Sequence, residues 1–298
     1  MTRWLVTGAG GMLGQDVMAA LQKAGEVEFT ALGHGDLDIT DADRVHHMVE
    51  GHHVVVNAAA WTDVEGAEID ESSAFAVNAT GVGHLAAACS RHNSRLVHVS
   101  TDYVFSGEST VPWSEDDYPV PVNAYGRTKL AGEQVVSELL RELGYTVRTA
   151  WLYGANGPNF IASVLRLATD HDELQVVDDQ IGQPTWSGAL ASRLVALGRA
   201  AQAGHARPGI YHGTASGQTS WYRLAREAFA LAGLAPERIR PVSSDRYPAR
   251  ARRPAWSVLG HRGWINAGMP PLAPWNSMLT QAFDAGVFAI EQRDAKSS

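Results

Sequence analysis

The run Trp4-Leu5-Val6-Thr7, followed at once by Gly8-Ala9-Gly10-Gly11-Met12-Leu13-Gly14, narrows the folds open to this chain more than any other feature. A short apolar run of strand length gives way to glycines, and the helical spacing Val17, Met18, Leu21 begins directly after them. A dinucleotide site needs strand, glycine turn and helix in that order. Glycines let the backbone turn tightly and approach a pyrophosphate, whose charge then sits at the helix N-terminus. The spacing Gly8, Gly11, Gly14 reads G-x-x-G-x-x-G, and Gly10 gives a partial match to G-x-G-x-x-G. The competing reading is a glycine-rich loop without a ligand.

The rest of the first half repeats the unit. Val27–Leu32, Val54–Val56 and Leu96–Val99 read as buried strands, with helical stretches at about Ala42–Val49, Ala74–Cys89 and Ala124–Leu143 between and after them, and Thr146–Trp151 resuming the sheet. The expected fold class is α/β: a doubly wound parallel sheet of the Rossmann type with a smaller C-terminal substrate-binding lobe. The expected division is 1–152 with a returning segment near 185–215 for the dinucleotide domain, and 153–184 with 216–298 for the lobe. A ligand crevice should lie beyond the strand C-termini. Gly8, His34, Asn57 to Ala60, Ser100-Thr101-Asp102 and Trp151 all fall there.

Within that frame, Tyr125-Gly-Arg-Thr-Lys129 places a phenol and an ammonium four residues apart, on one face of a helix. A phenol near pKa ~10 is a poor proton donor and acceptor at neutral pH, and a neighbouring ammonium favours the phenolate. The spacing therefore predicts a Tyr125 pKa drawn down toward the working range. Alone, the pair is common on helix surfaces. The glycine turn, Ser100-Thr101-Asp102 upstream and Asn123-Ala124 leading into Tyr125 lift it above that background.

At 298 residues with 45% hydrophobic content, the chain can bury a large core. A net charge of −8 argues against a nucleic-acid partner, with Arg250-Ala-Arg252-Arg253 as a local basic exception. No apolar stretch approaches the ~18 residues of a membrane span, and the N-terminus lacks signal-peptide character, so the expected location is cytoplasmic. The single Cys89 sits in an apolar helical pattern. His46-His47 and His52-His53 are the densest of the 12 His residues, but no metal-binding motif accompanies them, and no catalytic metal is expected. No GxSxG elbow supports nucleophilic hydrolysis.

Over nearly its full length the chain resembles the extended short-chain dehydrogenase/reductase superfamily and, within it, the dTDP-4-dehydrorhamnose reductase family. The matching blocks are GAGGMLG, LDITD, VVVNAAAWTDVEGAE, NATG, HVSTDYVFSG, YGRTKLAGE, RTAWLYG, NF, DDQIGQPT and YPARARRP. The resemblance implies reduction of a nucleotide-sugar C4 ketone, most closely dTDP-4-dehydro-β-L-rhamnose. Tyr125 would deliver the proton, Lys129 would bind the nicotinamide ribose and Thr101 would hydrogen-bond the ketone oxygen. Gly8, Gly11, Met12, Leu13 and Gly14 would line the pyrophosphate, Asp38 and Ile39 the adenine side, and Ala58, Ala59 and Ala60 the inner cofactor. Thr62, Val64, Asp102 and Trp151 match positions near the sugar. Asn159 and Gln180, in turn-rich segments past Trp151, are expected in the substrate pocket.

Cofactor choice rests on His34, which stands at the end of the second strand with Asp36 and Asp38 just beyond and no Arg before Arg44. The residue rule alone does not favour NADP. The resemblance implies NADPH with NADH tolerated, and a protonated His34 would meet a 2′-phosphate. Arg253, with Arg252, either neutralises the substrate diphosphate or belongs to a solvated cluster. Asp16 aligns with a family position that holds Mg2+ at a dimer interface, and it is also the kind of carboxylate that simply faces water; Mg2+ and a homodimer stay open. Two other functions compete: a 4-ketoreductase for another dTDP-sugar, and a non-catalytic regulatory subunit on the same fold. The presence of Thr101, Tyr125 and Lys129 together argues against the second.

Overall fold

The computed structural model describes residues 1–25 and 27–288. The glycine turn is framed by strand β1 (Thr2–Thr7) and helix α1 (Met12–Ala24), and then β2 (Val27–Leu32), α2 (Ala42–Val49) and β3 (Val54–Asn57) follow. Two short helices, α3 (Val64–Ile69) and α4 (Glu71–Phe75), lead through a wide turn to α5 (Val82–His92) and β4 (Arg95–Thr101). Helix α6 (Ala124–Leu139) precedes β5 (Gly144–Thr149) and β6 (Leu152–Tyr153). The chain then runs through α7 (Phe160–Leu167), β7 (Leu174–Val177), β8 (Ile181–Gly182), β9 (Thr185–Trp186), α8 (Ser187–Gln202) and β10 (Gly209–His212). It closes with β11 (Thr219–Ser220), α9 (Trp221–Leu231), β12 (Ile239–Val242), α10 (Arg262–Asn266) and α11 (Trp275–Asp284).

The central sheet is six-stranded and parallel in the order β10-β5-β4-β3-β1-β2. Its strands read as unbroken apolar runs because both faces are covered. The period of two assigns the faces: Trp4, Val6, Val54, Val56 and Val97 join α1 and α8 in one core, while Leu5, Val55 and Leu96 join α2 and α5 in the other. From β1 the chain moves one way to β2 and returns on the other side to β3. That reversal opens a crevice beyond the C-terminal ends of β1 and β3.

A second set of cores gathers away from the sheet. Tyr153, Ile161, Leu224, Ala228, Leu279 and Ala282 pack α7, α9 and α11 together, and Val164, Val176, Phe229 and Ile239 pack the parallel β7–β12 pair beneath them. Residues 289–298, assigned from sequence to the smaller lobe, lie outside the described residues.

Several elements differ from the sequence expectation for physical reasons. The helix expected over Ala74–Cys89 is broken by a π-helical turn at Ala76–Gly81. The widened turn carries Asn78, which accepts from the Trp61 amide at 2.9 Å and donates to the Trp61 carbonyl and to Thr128 Oγ1, both at 3.1 Å. Such single π turns commonly accompany functional sites. The strand expected to reach Trp151 stops at Thr149, because Trp151 takes a left-handed φ of 47° and turns the chain out of the sheet.

Candidate active site

The crevice is closed by backbone contact that only glycine permits. Gly8 takes a φ of 71°, and a Cβ there would lie 2.5 Å from the Ala59 nitrogen at the end of β3. A Cβ on Gly14 would meet the Gly8 carbonyl oxygen at 2.2 Å, so the first turn of α1 presses onto the loop. Gly11 caps α1 without any side-chain hydrogen bond, which leaves the helix N-terminus free for an anion. Thr7 Oγ1 donates to Asn57 Oδ1 at 2.7 Å, and the same oxygen accepts the Ala59 amide at 3.1 Å. These bonds fix Ala58 to Ala60 along the crevice wall. The arrangement fits a dinucleotide pyrophosphate, with the half-buried Met12 side chain lying beside Gly154. Leu13 points into the sheet core instead.

At the adenosine end the picture is mixed. His34 is exposed on the loop after β2, and Arg44 folds back from α2 to donate to the Asp36 carbonyl. The acids beside them serve the turn: Asp36 accepts the Gly33 amide at 3.0 Å, and Asp38 accepts from the amide and hydroxyl of Thr40 at 2.9 and 2.8 Å. Those bonds, the backbone one foremost, hold the Asp38 carboxyl below its ordinary range. The Ile39 side chain is buried in the core against Gly81, so only its backbone remains to line an adenine site. Arg44 was passed over in sequence because it lies a helix turn beyond the expected loop.

The reactive groups meet where β4 ends. Thr101 Oγ1 accepts the Tyr103 amide at 3.1 Å and donates to Asp102 Oδ1 at 3.0 Å, and it stands near enough to the Tyr125 phenol to oppose the rise in its pKa. Asn123 caps α6 by accepting the Gly126 amide at 2.8 Å, which aims the first turn and Tyr125 into the site. Lys129 is buried and donates from Nζ to the Val99 carbonyl at 2.7 Å. Burial lowers its pKa to about 8, against the opposing pull of Glu133. Burial raises the Asp102 carboxyl to about 6, with the nearby Ser257 and the Thr101 hydroxyl opposing the rise.

One expectation is reversed. The Tyr125 phenol is pushed above its ordinary range, by burial first and the Asp102 charge second, with only the nearby Thr101 hydroxyl lowering it. The Lys129 ammonium is directed at a carbonyl on β4 and does not draw the phenol down. A shared helix face brings the two side chains near one another but leaves burial to decide the sign.

An aromatic wall stands beyond the end of β5. Trp151 stacks on Trp221 with centroids 3.5 Å apart and planes 10° from parallel, and it packs so tightly on Gly182 that a Cβ there would clash with the indole at 2.5 Å. The left-handed Trp151 is thus held by its neighbours, a costly conformation of the kind that clusters at ligand sites. Gln180 is half-buried and Thr62 exposed, with Val64 opening α3 nearby in sequence. Asn159 is engaged by its own loop: it caps α7 through Ala162 at 3.0 Å and donates to the Gly154 carbonyl at 3.0 Å. Arg253 pairs with Glu65 at 2.8 Å while Arg252 reaches Glu108 at 3.4 Å, so the basic run divides into two separate ion pairs. Tyr103, Trp221 and Ser257 were missed in sequence. Tyr103 follows β4 directly and lies inside the quoted HVSTDYVFSG block, whereas tertiary packing alone brings Trp221 to Trp151 and Ser257 to Asp102.

A divalent cation finds little here. Asp16 does not simply face water: it is half-buried between α1 and α8 and accepts from Ser187 Oγ. Among the described residues no group of three or more His, Cys, Asp and Glu side chains could hold a metal ion. The residues present therefore do not fit a Mg2+ site within one chain.

The family model described as the RmlD substrate binding domain matches residues 2–287. A dTDP-4-dehydrorhamnose reductase from Streptomyces griseus is 51% identical, the match covering 95% of this chain and 93% of that protein. A dTDP-4-keto-6-deoxy-D-glucose reductase from Streptomyces niveus is 50% identical over 94% of this chain and 96% of that protein. The solved structure of a dTDP-4-dehydrorhamnose reductase from Bacillus anthracis in complex with NADP superposes with a TM-score of 0.89 at 33% identity, covering 96% of this chain and 100% of that one.

Proposed function

We propose that this chain, which belongs to the dTDP-4-dehydrorhamnose reductase family, catalyses the NADPH-dependent reduction of a nucleotide-sugar C4 ketone, with dTDP-4-dehydro-β-L-rhamnose as substrate and dTDP-L-rhamnose as product. The observation that carries the reading is the meeting of Thr101, Tyr125 and Lys129 at the strand ends beside the glycine crevice. NADPH, when bound, supplies the hydride that attacks C4. Tyr125 donates a proton to the C4 oxygen, and Thr101 orients that oxygen. Lys129 has three donors and gives one to Val99, which leaves two for the hydroxyls of the nicotinamide ribose.

Gly8, Gly11, Met12 and Gly14 hold the pyrophosphate, and Ala58 to Ala60 let the inner cofactor approach the backbone. His34 and Arg44 face the adenosine phosphate, which supports NADPH over the reading from sequence spacing alone. Trp151 forms the flat wall of the sugar pocket, Thr62, Val64 and Gln180 border it, and Arg253 answers the substrate diphosphate. The sheet with α8 and β10 forms the dinucleotide domain of this reading, and the α7, α9 and α11 cores form its substrate lobe. No helix among the described residues is long and apolar enough to cross a membrane. A cytoplasmic location belongs to the same proposal and rests on the NADPH dependence.

The Streptomyces niveus relative favours a second reading, a 4-ketoreductase for another dTDP-linked deoxysugar. One assay separates the two. NADPH absorbance is followed on adding dTDP-4-dehydro-β-L-rhamnose or dTDP-4-keto-6-deoxy-D-glucose to the purified chain. Faster oxidation with the first supports the rhamnose assignment, and faster oxidation with the second replaces it. No oxidation with either, while NADPH still binds, overturns the reductase reading.

A further inference from the structure

Three side chains that stand apart from the reacting groups tie the start of α6 to the segment 250–257. Asn123 uses both ends of its amide. Oδ1 accepts the Gly126 amide at 2.8 Å and caps α6, while Nδ2 donates to the Arg252 carbonyl, also at 2.8 Å. The whole residue is buried. On α3, Glu65 and Glu68 lie three positions apart and so share a face. Glu68 Oε1 accepts the amide of Ala124, the first residue of α6, at 2.6 Å. Glu65 Oε2 accepts the amides of Arg250 and Ala251 at 2.9 and 3.3 Å, and its Oε1 pairs with Arg253 at 2.8 Å. The three segments form a ring, and Asn123 closes it.

A helix cap does not by itself call for asparagine, since Ser or Asp would satisfy the Gly126 amide as well. Neither can replace Nδ2. A carboxylate only accepts, and a serine hydroxyl sits one bond nearer the backbone. The amide is planar, so the direction in which it accepts from α6 fixes the direction in which it donates to Arg252, 129 residues away in the chain. Both of the pieces that it joins are anchored elsewhere. A Cβ on Gly126 would lie 2.2 Å from the Tyr103 carbonyl oxygen, so α6 begins in backbone contact with the turn after β4. Beyond Arg253, the Ile181 amide donates to the Ala255 carbonyl at 2.8 Å, and the Ser257 amide donates back to Ile181 at 2.9 Å.

We propose that Asn123 is a positioning residue that sets Tyr125 against the C4 oxygen from the place where the segment 250–257 holds the substrate diphosphate. The inference rests on the reductase reading, in which the two ends of one substrate meet different segments: the diphosphate meets Arg253 and the ketone meets Tyr125. Binding energy from the remote diphosphate serves the chemistry at C4 only while those segments keep a fixed spacing. Asn123 fixes that spacing without touching the reacting atoms.

Asn123→Ser keeps an acceptor for the Gly126 amide and loses the reach to Arg252. Its thermal unfolding, NADPH affinity and KM for the dTDP-4-keto sugar should stay close to wild type, while kcat falls by about 10- to 100-fold. Asn123→Asp, which keeps the shape and turns an acceptor on the Arg252 carbonyl, is the second variant and should show the same split. Arg253→Ala should lower kcat in the wild-type background and add little in Asn123→Ser, because the spacing through which Arg253 acts has already been lost. Additive losses, or a kcat in Asn123→Ser equal to wild type, overturn the link and leave a plain helix cap. A further arm needs no turnover and uses dTDP as its probe. Hydrogen exchange in the first turn of α6 should slow when dTDP binds wild type and should not slow when it binds Asn123→Ser. Equal slowing in both proteins, or none in wild type, overturns the link. If wild type reduces no 4-keto sugar but the exchange difference holds, the reductase reading falls and the coupling of a dTDP site to α6 through Asn123 stands.

Discussion

Tyr125, Lys129 and Glu133 follow one another at four-residue steps along α6, yet the two ends of this stripe treat buried charge in opposite ways. At the Glu133 end every charge is answered. Arg148 donates from Nε to both carboxylate oxygens at 2.9 and 3.2 Å and from Nη2 at 2.7 Å, and its guanidinium lies 4.9 Å over the Phe105 ring. At the Tyr125 end the partners are withheld. Among the described residues Lys129 has a carbonyl and no carboxylate within bonding distance and Asp102 Oδ2 has no hydrogen-bond partner, and the phenol lies near the Thr101 hydroxyl. Burial without full pairing moves each of these groups away from its ordinary pKa. One stretch of sheet and helix thus contains a fork that holds α6 to β5 and a set of groups kept ready to exchange protons.

The sharpest way to break this contrast is Tyr125→Phe. If the phenol is the immediate proton donor, kcat should fall by about 10² to 10⁴-fold, while NADPH titration and thermal unfolding stay near wild type, since the hydroxyl supports no packing. A variant within a fewfold of wild type in NADPH oxidation would remove Tyr125 from the chemistry. The opposite result is expected at the other end. Glu133→Ala strands a guanidinium that is almost wholly buried and should cost about 3–5 kcal/mol in urea unfolding. An Arg148 that could reach solvent would make the loss much smaller.

How far the site could be read in advance follows the same division. The strand–glycine–helix order, the boundaries of β2 and α2 and the buried apolar runs of β1 and β3 are local properties of the chain, and they were legible. The Tyr125–Lys129 spacing was legible as a location but not as an electrostatic environment, because burial by β4 and by the segment carrying Ser257 comes from residues far away in sequence. Asn78 shows the same limit. Its bonds to Trp61 and Thr128 widen a helix that periodicity reads as continuous. Trp221 gives no sign of its partner until the left-handed turn at Trp151 brings the two rings together.

Asp102 offers a test of intermediate size, and its sign can be worked out. Its folded pKa, about 6, lies above the ordinary carboxylate value of 3.8, so the native state holds a proton that the unfolded chain has already released between those values. Stability should therefore decline as pH rises from about 4 to about 6 and stay lower beyond it. Asp102→Asn removes that penalty and should be more stable than wild type at neutral pH, by something on the order of 2–3 kcal/mol less whatever the altered bond to Thr101 costs. A destabilised variant at neutral pH would show that the carboxylate is well supported and that the contrast with Glu133 is weaker than drawn.

The smallest effect is expected at Asp16, where a carboxylate is half-buried with a single hydroxyl as its partner. Burial raises its pKa and the Ser187 bond opposes that. Ser187 has one hydrogen and two acceptors in reach, Asp16 and the Tyr153 carbonyl at 3.0 Å, so removing the acid lets the hydrogen turn to the carbonyl and leaves nothing stranded. Asp16→Ala should then cost no more than about 1 kcal/mol, and a chelator should leave NADPH oxidation by wild type and variant unchanged. A rate that drops with chelator and returns with Mg2+ would instead make Asp16 a metal ligand completed from outside this chain, and its buried hydroxyl contact would be the resting form of that site.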